Sequence, residues 1–211
     1  AGLAAVLLAN AVDAQNKRPP MRKHTATEIQ PVELVPSTVF VSPTEVSITV
    51  EGDARIITAN GMPEHEIGAF PNSGNPNEVS GQETKFTLDA TPEKAAEPTW
   101  LGQEYFGIAV NGVPFEAQTA EFWQGDRSLG WRYDALGGAV PLGIDANYAH
   151  VQPTGAYHYH ALPVGLLQDL NWASDAHSPL VGWAADGFPI YGPYLTIEGS
   201  LREVRSSFQL K

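Results

Sequence analysis

Gly107-Ile108-Ala109-Val110-Asn111-Gly112-Val113-Pro114-Phe115 aligns without gaps on Gly182-Trp183-Ala184-Ala185-Asp186-Gly187-Phe188-Pro189-Ile190. The copies share Gly, Ala, Gly and Pro, and Asn in one meets Asp in the other. Asn-Gly and Asp-Gly between apolar runs are the strongest short-range hairpin signals, because a type I′ turn needs positive φ at both central residues. Each copy therefore predicts a hairpin. The Pro that follows has no N–H for a neighbouring strand, which places the returning strand at an edge or a bulge. A shorter echo stands at Asn60-Gly61-Met62-Pro63. The match reads as an internal duplication, with a recurring local solution as the alternative.

Outward from the two hairpins the signals stay extended. Val39-Phe40-Val41, Val46-Ser47-Ile48-Thr49-Val50, Arg55-Ile56-Ile57-Thr58 and Lys85-Phe86-Thr87-Leu88 are rich in β-branched or aromatic residues and bounded by Pro, Gly or Asp. Between them lie turn formers, densest at Phe70-Pro71-Asn72-Ser73-Gly74-Asn75-Pro76-Asn77, and a polar connection from Asp89 to Pro98. Twenty Gly and 17 Pro in 211 residues imply many short elements and argue against a helical bundle. Helical spacing is clearest over Pro163–Trp172, where Leu166, Leu167 and Leu170 share a face behind a proline start. The expected class is mainly β: a single β-rich domain, sandwich or barrel-like, with one or two short helices.

Ala1 to Ala11 is almost uninterrupted Ala, Leu, Val and Gly, and Val12-Asp13-Ala14 supplies a small-x-Ala cleavage pattern. Residues 1–14 therefore read as the remnant of a signal peptide, and the chain as exported, periplasmic or extracellular. A short apolar helix packed on the domain is the alternative. Residues 15–37, with Lys17-Arg18-Pro19-Pro20, Pro31 and Pro36, suit a Pro-rich polar tether, and the domain is expected over 38–211. No stretch is long enough to span a bilayer as a helix.

A formal charge of −12, with 12 Lys plus Arg and no basic stripe, repels phosphate backbones and argues against nucleic acid as a partner. The chain has no cysteine, so disulfides, thiolate nucleophiles and Cys-ligated metals are excluded too. A metal would have to be held by His, carboxylate, amide or carbonyl groups.

The chemistry points to Pro153-Thr154-Gly155-Ala156-Tyr157-His158-Tyr159-His160-Ala161-Leu162-Pro163. On a strand, alternate side chains face opposite sides, so His158 and His160 share one face while Tyr157 and Tyr159 share the other. Two neutral imidazoles so placed suit one transition metal, with copper or zinc ahead of magnesium or calcium because no carboxylate-rich loop is present. His150 lies across the turn-prone Gln152-Pro153-Thr154-Gly155 and is expected back on the same face. His65 and His177, both in motif-like contexts, are the other candidate ligands; His24 falls in the tether.

The competing reading is a structural His–Tyr network in a non-enzymatic surface or periplasmic binding module, each ring bonded to a carbonyl or hydroxyl. A metal-assisted hydrolase is a third reading. Asp145 suits either a carboxylate orienting an imidazole or a turn cap, and Asp186 a turn residue ahead of a ligand. Ser178 follows His177 but stands in no G-x-S-x-G elbow, which disfavours a serine hydrolase. Aromatic residues gather nearby in sequence, Trp123, Trp131 and Tyr133 among them; most suit packing, and some suit a cleft for a sugar-like or aromatic small ligand.

Tyr157-His158-Tyr159-His160 after Pro153-Thr154-Gly155, with His177-Ser178-Pro179-Leu180-Val181-Gly182-Trp183-Ala184 running into Asp186-Gly187-Phe188-Pro189-Ile190-Tyr191-Gly192-Pro193, resembles the YHYH domain family of secreted bacterial proteins. Asn60-Gly61-Met62-Pro63-Glu64-His65, Asn75-Pro76-Asn77 and Gly112-Val113-Pro114-Phe115 look like that family's earlier blocks. The resemblance runs from about Thr38. That family is defined by its motif, so the resemblance implies export and leaves the metal to the histidines. Members carry Cys shortly before and after the motif, at places corresponding to Ala146 and Gly165, which implies a lost disulfide and no thiol chemistry here. Members also continue past Arg205-Ser206-Ser207-Phe208, which implies a C-terminus truncated at Lys211.

Overall fold

The computed structural model describes residues 23–97 and 105–205. The span read as a signal remnant, the first part of the tether, and Pro98 lie outside them.

Thirteen strands run in chain order among the described residues: β1 Ser37–Val39, β2 Val46–Glu51, β3 Ala54–Ala59, β4 Ile67–Gly68, β5 Thr84–Asp89, β6 Gly107–Ala109, β7 Pro114–Phe115, β8 Ala149–Val151, β9 Tyr157–Tyr159, β10 Leu180–Ala184, β11 Pro189–Tyr191, β12 Tyr194–Ile197 and β13 Ser200–Glu203. One helix, α1 (Val164–Asp169), follows Pro163 as the leucine spacing predicts, and Leu166 is its buried residue. A 3₁₀ turn at Arg127–Leu129 is the remaining helical piece. The fold is mainly β, in several sheets, none closed into a barrel.

A six-stranded mixed sheet, ordered β11-β10-β6-β7-β9-β8, carries the site; β2-β3-β5 form a second, antiparallel sheet. Two-stranded pairs β1-β4 and β12-β13 complete the set. The contacts of the folded body begin upstream of Thr38, inside the span read as tether. His24 bridges Trp123, and Val35 donates to Ile144 O at 2.9 Å and accepts from Ala146 N at 3.0 Å.

Both predicted hairpins form, β6-β7 and β10-β11, but through a different turn. Gly112 and Gly187 have φ of +79° and +91°, whereas Asn111 and Asp186 are not among the residues of positive φ. In each hairpin the glycine N–H bonds back three residues, to Ala109 O or Ala184 O, both at 2.9 Å. This is the three-residue loop whose last residue is left-handed, so only the glycine needs conformational freedom. The β8-β9 hairpin repeats it, with Pro153 inside the loop and Gly155 at φ +86° donating to Gln152 O at 2.8 Å. The echo at Asn60-Gly61 makes no hairpin: β3 ends at Ala59, and Asn60 Oδ1 accepts from Met62 N at 3.1 Å.

The two repeats lie side by side. β6 and β10 pair antiparallel as Gly107↔Ala184, Ile108↔Trp183 and Ala109↔Gly182, a register that maps onto itself when the copies are exchanged. The glycine opening each copy is required there by close approach. A Cβ on Gly107 would lie 2.6 Å from Trp183 O, and one on Gly182 would lie 2.3 Å from Ile108 O. Local sequence duplication thus appears as a local two-fold relation at the centre of the sheet.

The sheet buries both faces. On one, Ala109, Phe115, Ala149, Val151, Tyr157, Tyr159 and Val181 pack with Ile67 and Leu166 as the main core. On the other, Ile108 packs with Ile57 and Leu88 of the second sheet, with Trp183 and Phe86 against them. That second face continues past the covering sheet onto β7, β9 and β8, where its side chains become polar.

Candidate metal centre

Strand alternation sorts β9 as the sequence predicts. Tyr157 and Tyr159 enter the core, and His158, 1% exposed, turns to the other face. The antiparallel register sets His150 directly opposite His158. His160 follows the end of β9, and its N–H to Tyr148 O at 2.8 Å keeps the chain extended. The three imidazoles therefore converge, with ring centroids 4.6, 4.8 and 4.9 Å apart and planes inclined 63 to 74°. Their candidate ligand nitrogens all lie within 4.8 Å of one another. Nε2 of His160 stands 3.1 Å from Nε2 of His158 and 3.1 Å from Nε2 of His150.

The outward nitrogens fix the protonation pattern. His150 Nδ1 faces Leu142 O at 3.0 Å and His158 Nδ1 faces Ala156 O at 3.3 Å. A nitrogen facing a carbonyl must carry the proton, so in the neutral ring Nε2 is a bare lone pair. His160 Nδ1 is buried without a hydrogen bond. Even with a proton on its Nε2, His160 can donate to only one of its two neighbours, and the other contact is left without a hydrogen. Nitrogens held 2.0–2.1 Å from a tetrahedral ion stand about 3.3 Å apart, close to the two spacings here.

Burial keeps these rings neutral. Desolvation lowers the pKa of His150, and of His158 well below its ordinary value, where the neighbouring imidazoles add to it. His160 is pushed down to about 3, by desolvation first and then by His150. Neutral imidazole is the form that ligates metal.

The carboxylate of Glu116 stands beside the trio, Oε2 3.3 Å from His158 Nε2. The parallel pairing of β7 and β9 places it: Phe115 opposes Tyr159, and Glu116 N donates to Tyr159 O at 2.9 Å. Gln152 Nε2 donates to the same Oε2 at 2.6 Å. Desolvation raises the Glu116 pKa, while Gln152 and the Arg132 guanidinium oppose the rise. The sequence reading missed this residue. Its signal was the repeat itself, since the position after Phe115 is Glu116 and the matching position after Ile190 is Tyr191.

The other candidates lie apart from the trio. His65 is buried on the tyrosine side, where its Nδ1 donates to Glu66 O at 2.9 Å and its Nε2 pairs with Tyr159 Oη at 2.6 Å. His177 is exposed; its Nδ1 accepts from Thr196 N at 2.9 Å and its ring meets Tyr191 edge-on. Asp145, fully buried, faces no imidazole at contact distance: it accepts from Gly68 N at 2.9 Å, Asn147 N at 2.9 Å, Ala149 N at 3.2 Å and Tyr157 Oη at 2.7 Å. Of its two expected roles it fills the turn cap. Asp186 is an exposed turn residue accepting from Phe188 N at 3.4 Å. Ser178 Oγ is occupied by Trp172 Nε1 and Tyr194 N. His24, read as tether, meets Glu121 at 2.7 Å.

Trp123, Trp131 and Tyr133 line a cleft of about 490 Å³ with Arg132 and Ala26, Thr27 and Ile29 of the N-terminal segment. No helix among the described residues is long and apolar enough to cross a membrane.

No curated protein and no solved structure matches the chain. The family model described as YHYH protein matches residues 85–211, so the blocks at 60–77 lie upstream of it. The match takes in both hairpin repeats, Glu116 and all three converging histidines, and by it the chain belongs to the YHYH family.

Proposed function

We propose that His150, His158 and His160 bind one divalent transition metal ion, zinc or copper, and that the protein does so after export. The observation that carries the reading is three neutral imidazoles, one buried and two partly buried, with Nε2 of His160 3.1 Å from that of each neighbour and no donor able to serve both contacts. A cation at the shared point turns the opposed lone pairs into three bonds. Donors that are all nitrogen or oxygen, with imidazole dominant, favour zinc or copper over calcium or magnesium. Export rests on the apolar run ending in Val12-Asp13-Ala14.

The structural-network reading applies to the opposite face, where Tyr159 and His65 are each matched by a partner of the other polarity. On the histidine face one Nε2 meets two others, and no single proton serves both contacts. The test is metal analysis of protein purified without a histidine tag, dialysed against zinc or copper, beside His158→Ala and His160→Ala. One ion per wild-type chain, lost in both variants, is expected. Wild-type protein that stays metal-free, or variants that keep the full ion, would refute the reading.

A further inference from the structure

We infer that Glu116 is the fourth protein ligand of the His150–His158–His160 centre and that Gln152 holds it for that role. The inference rests on the metal reading above and specifies its donor set: three neutral imidazoles and one carboxylate.

Three observations converge on it. The first is topological. Strand parity puts Glu116, His158, His150 and Gln152 on one face of the sheet, because β7 runs parallel to β9 and β8 antiparallel to it. The carboxylate reaches the trio from an element that contributes no histidine, so three segments of backbone, β7, β8 and β9, fix four donors.

The second is the pattern of contacts. Oε2 of Glu116 is 3.3 Å from His158 Nε2, which in turn is 3.1 Å from His160 Nε2. With its proton on Nδ1 toward Ala156 O, neutral His158 offers a lone pair to a carboxylate oxygen, a second acceptor-to-acceptor contact. With the proton on Nε2, it can satisfy Glu116 or His160, and not both. One cation bonded to the imidazoles and the carboxylate resolves every such contact at once.

The third is charge and support. Glu116 is half-buried, with its Oε2 3.3 Å from His158 Nε2. A divalent ion on three neutral imidazoles carries two positive charges into the same buried volume, and an adjacent carboxylate halves that excess. Carboxylate ligands in metal sites are themselves hydrogen-bonded by outer residues. Gln152 Nε2 supplies that bond at 2.6 Å, and Tyr105 Oη approaches Gln152 Oε1 at 3.4 Å behind it. Rotation about the Glu side-chain bonds lets one oxygen keep Gln152 while the other turns to the ion. Such a set suits a divalent ion better than copper(I), which prefers sulfur donors.

The test is a cobalt(II) titration of the full chain, followed by the visible d–d bands and by competition with zinc for affinity. Glu116→Gln keeps the shape and the hydrogen bond to Gln152 while removing the charge. It is expected to bind at least about 100-fold more weakly with altered bands, and Gln152→Ala about 10-fold more weakly. Glu116→Asp retracts the carboxylate by one methylene and is expected to keep one ion per chain with shifted bands. Metal-free melting curves of each variant establish that it folds. Wild-type bands in Glu116→Gln, or a weaker affinity with unchanged bands, place the carboxylate outside the coordination sphere and overturn the inference while the three-histidine centre stands. A wild-type chain that takes up neither cobalt nor zinc overturns both.

Discussion

The two sides of β9 carry polar aromatic rings at the same spacing, tyrosines on one and histidines on the other, and do opposite things with them. On the tyrosine side every polar atom meets its complement. Tyr157 Oη donates to Asp145, Tyr159 Oη donates to His65 Nε2 at 2.6 Å, and Asn111 Nδ2 donates to Tyr159 Oη at 2.9 Å. On the histidine side three Nε2 atoms and a carboxylate oxygen crowd together with too few protons to serve every contact. A network of matched partners is complete without any added ion, and damage to it should register as lost stability. Converging acceptors are completed by a cation, and damage there should register as lost binding.

The largest effect is expected at Asp145, whose carboxylate takes three backbone N–H groups and Tyr157 Oη in a fully buried turn. Asp145→Ala leaves four donors without that acceptor and should cost about 3–5 kcal/mol or prevent folding. Urea unfolding of metal-free protein measures it, and a loss below about 1 kcal/mol would remove the tyrosine side from the list of structural anchors. Tyr159→Phe is the milder version. It strips a partner from both His65 Nε2 and Asn111 Nδ2, at an expected cost of about 1–3 kcal/mol. Its affinity for zinc should stay within about two-fold of wild type, because Tyr159 points away from the trio; a variant that loses the metal as well would erase the distinction between the two sides.

How far the sequence revealed this contrast follows from the range of each signal. Strand parity is a local property, so the segregation of His158 and His160 from Tyr157 and Tyr159 could be read directly, and the Gln152–Gly155 turn was enough to return His150 to them. The hairpins were legible for the same reason, although the turn type was not. Asn-Gly and Asp-Gly satisfy two geometries, and the bond from the glycine N–H selected the one with a single left-handed residue. The repeat set Glu116 against Tyr191 but gave it no place, because it reaches β9 through a parallel pairing 44 residues distant in sequence, and pairings of that range leave no periodic mark. His65 and His177 sat in suggestive motifs, yet motif context carries no direction, and their neighbours direct them elsewhere. His24 shows the converse: Pro-rich surroundings read as tether, while His24 itself bridges to Trp123.

The smallest effect, and the one most particular to the histidine side, is a response to acid. Burial beside His150 holds His160 down to about 3, whereas an unfolded chain gives it an ordinary value near 6.5. Between those limits the unfolded state binds a proton that the folded state refuses, so stability falls as pH drops below about 6.5. His160 alone should account for about 1 kcal/mol of loss between pH 6.5 and 5.5, with His150 and His158 adding in the same direction. Urea unfolding of metal-free wild type and His160→Gln at the two pH values isolates that share, and the variant should lose about 1 kcal/mol less. Tyr157 and Tyr159, whose pKa values burial raises, stay protonated throughout this window, so Tyr159→Phe should show the wild-type pH dependence on a lower baseline. An equal loss in wild type and His160→Gln would mean that His160 takes up its proton in the folded state. The ring would then be a cation at mild acidity, and the neutral, metal-ready cluster would no longer describe this side of the strand.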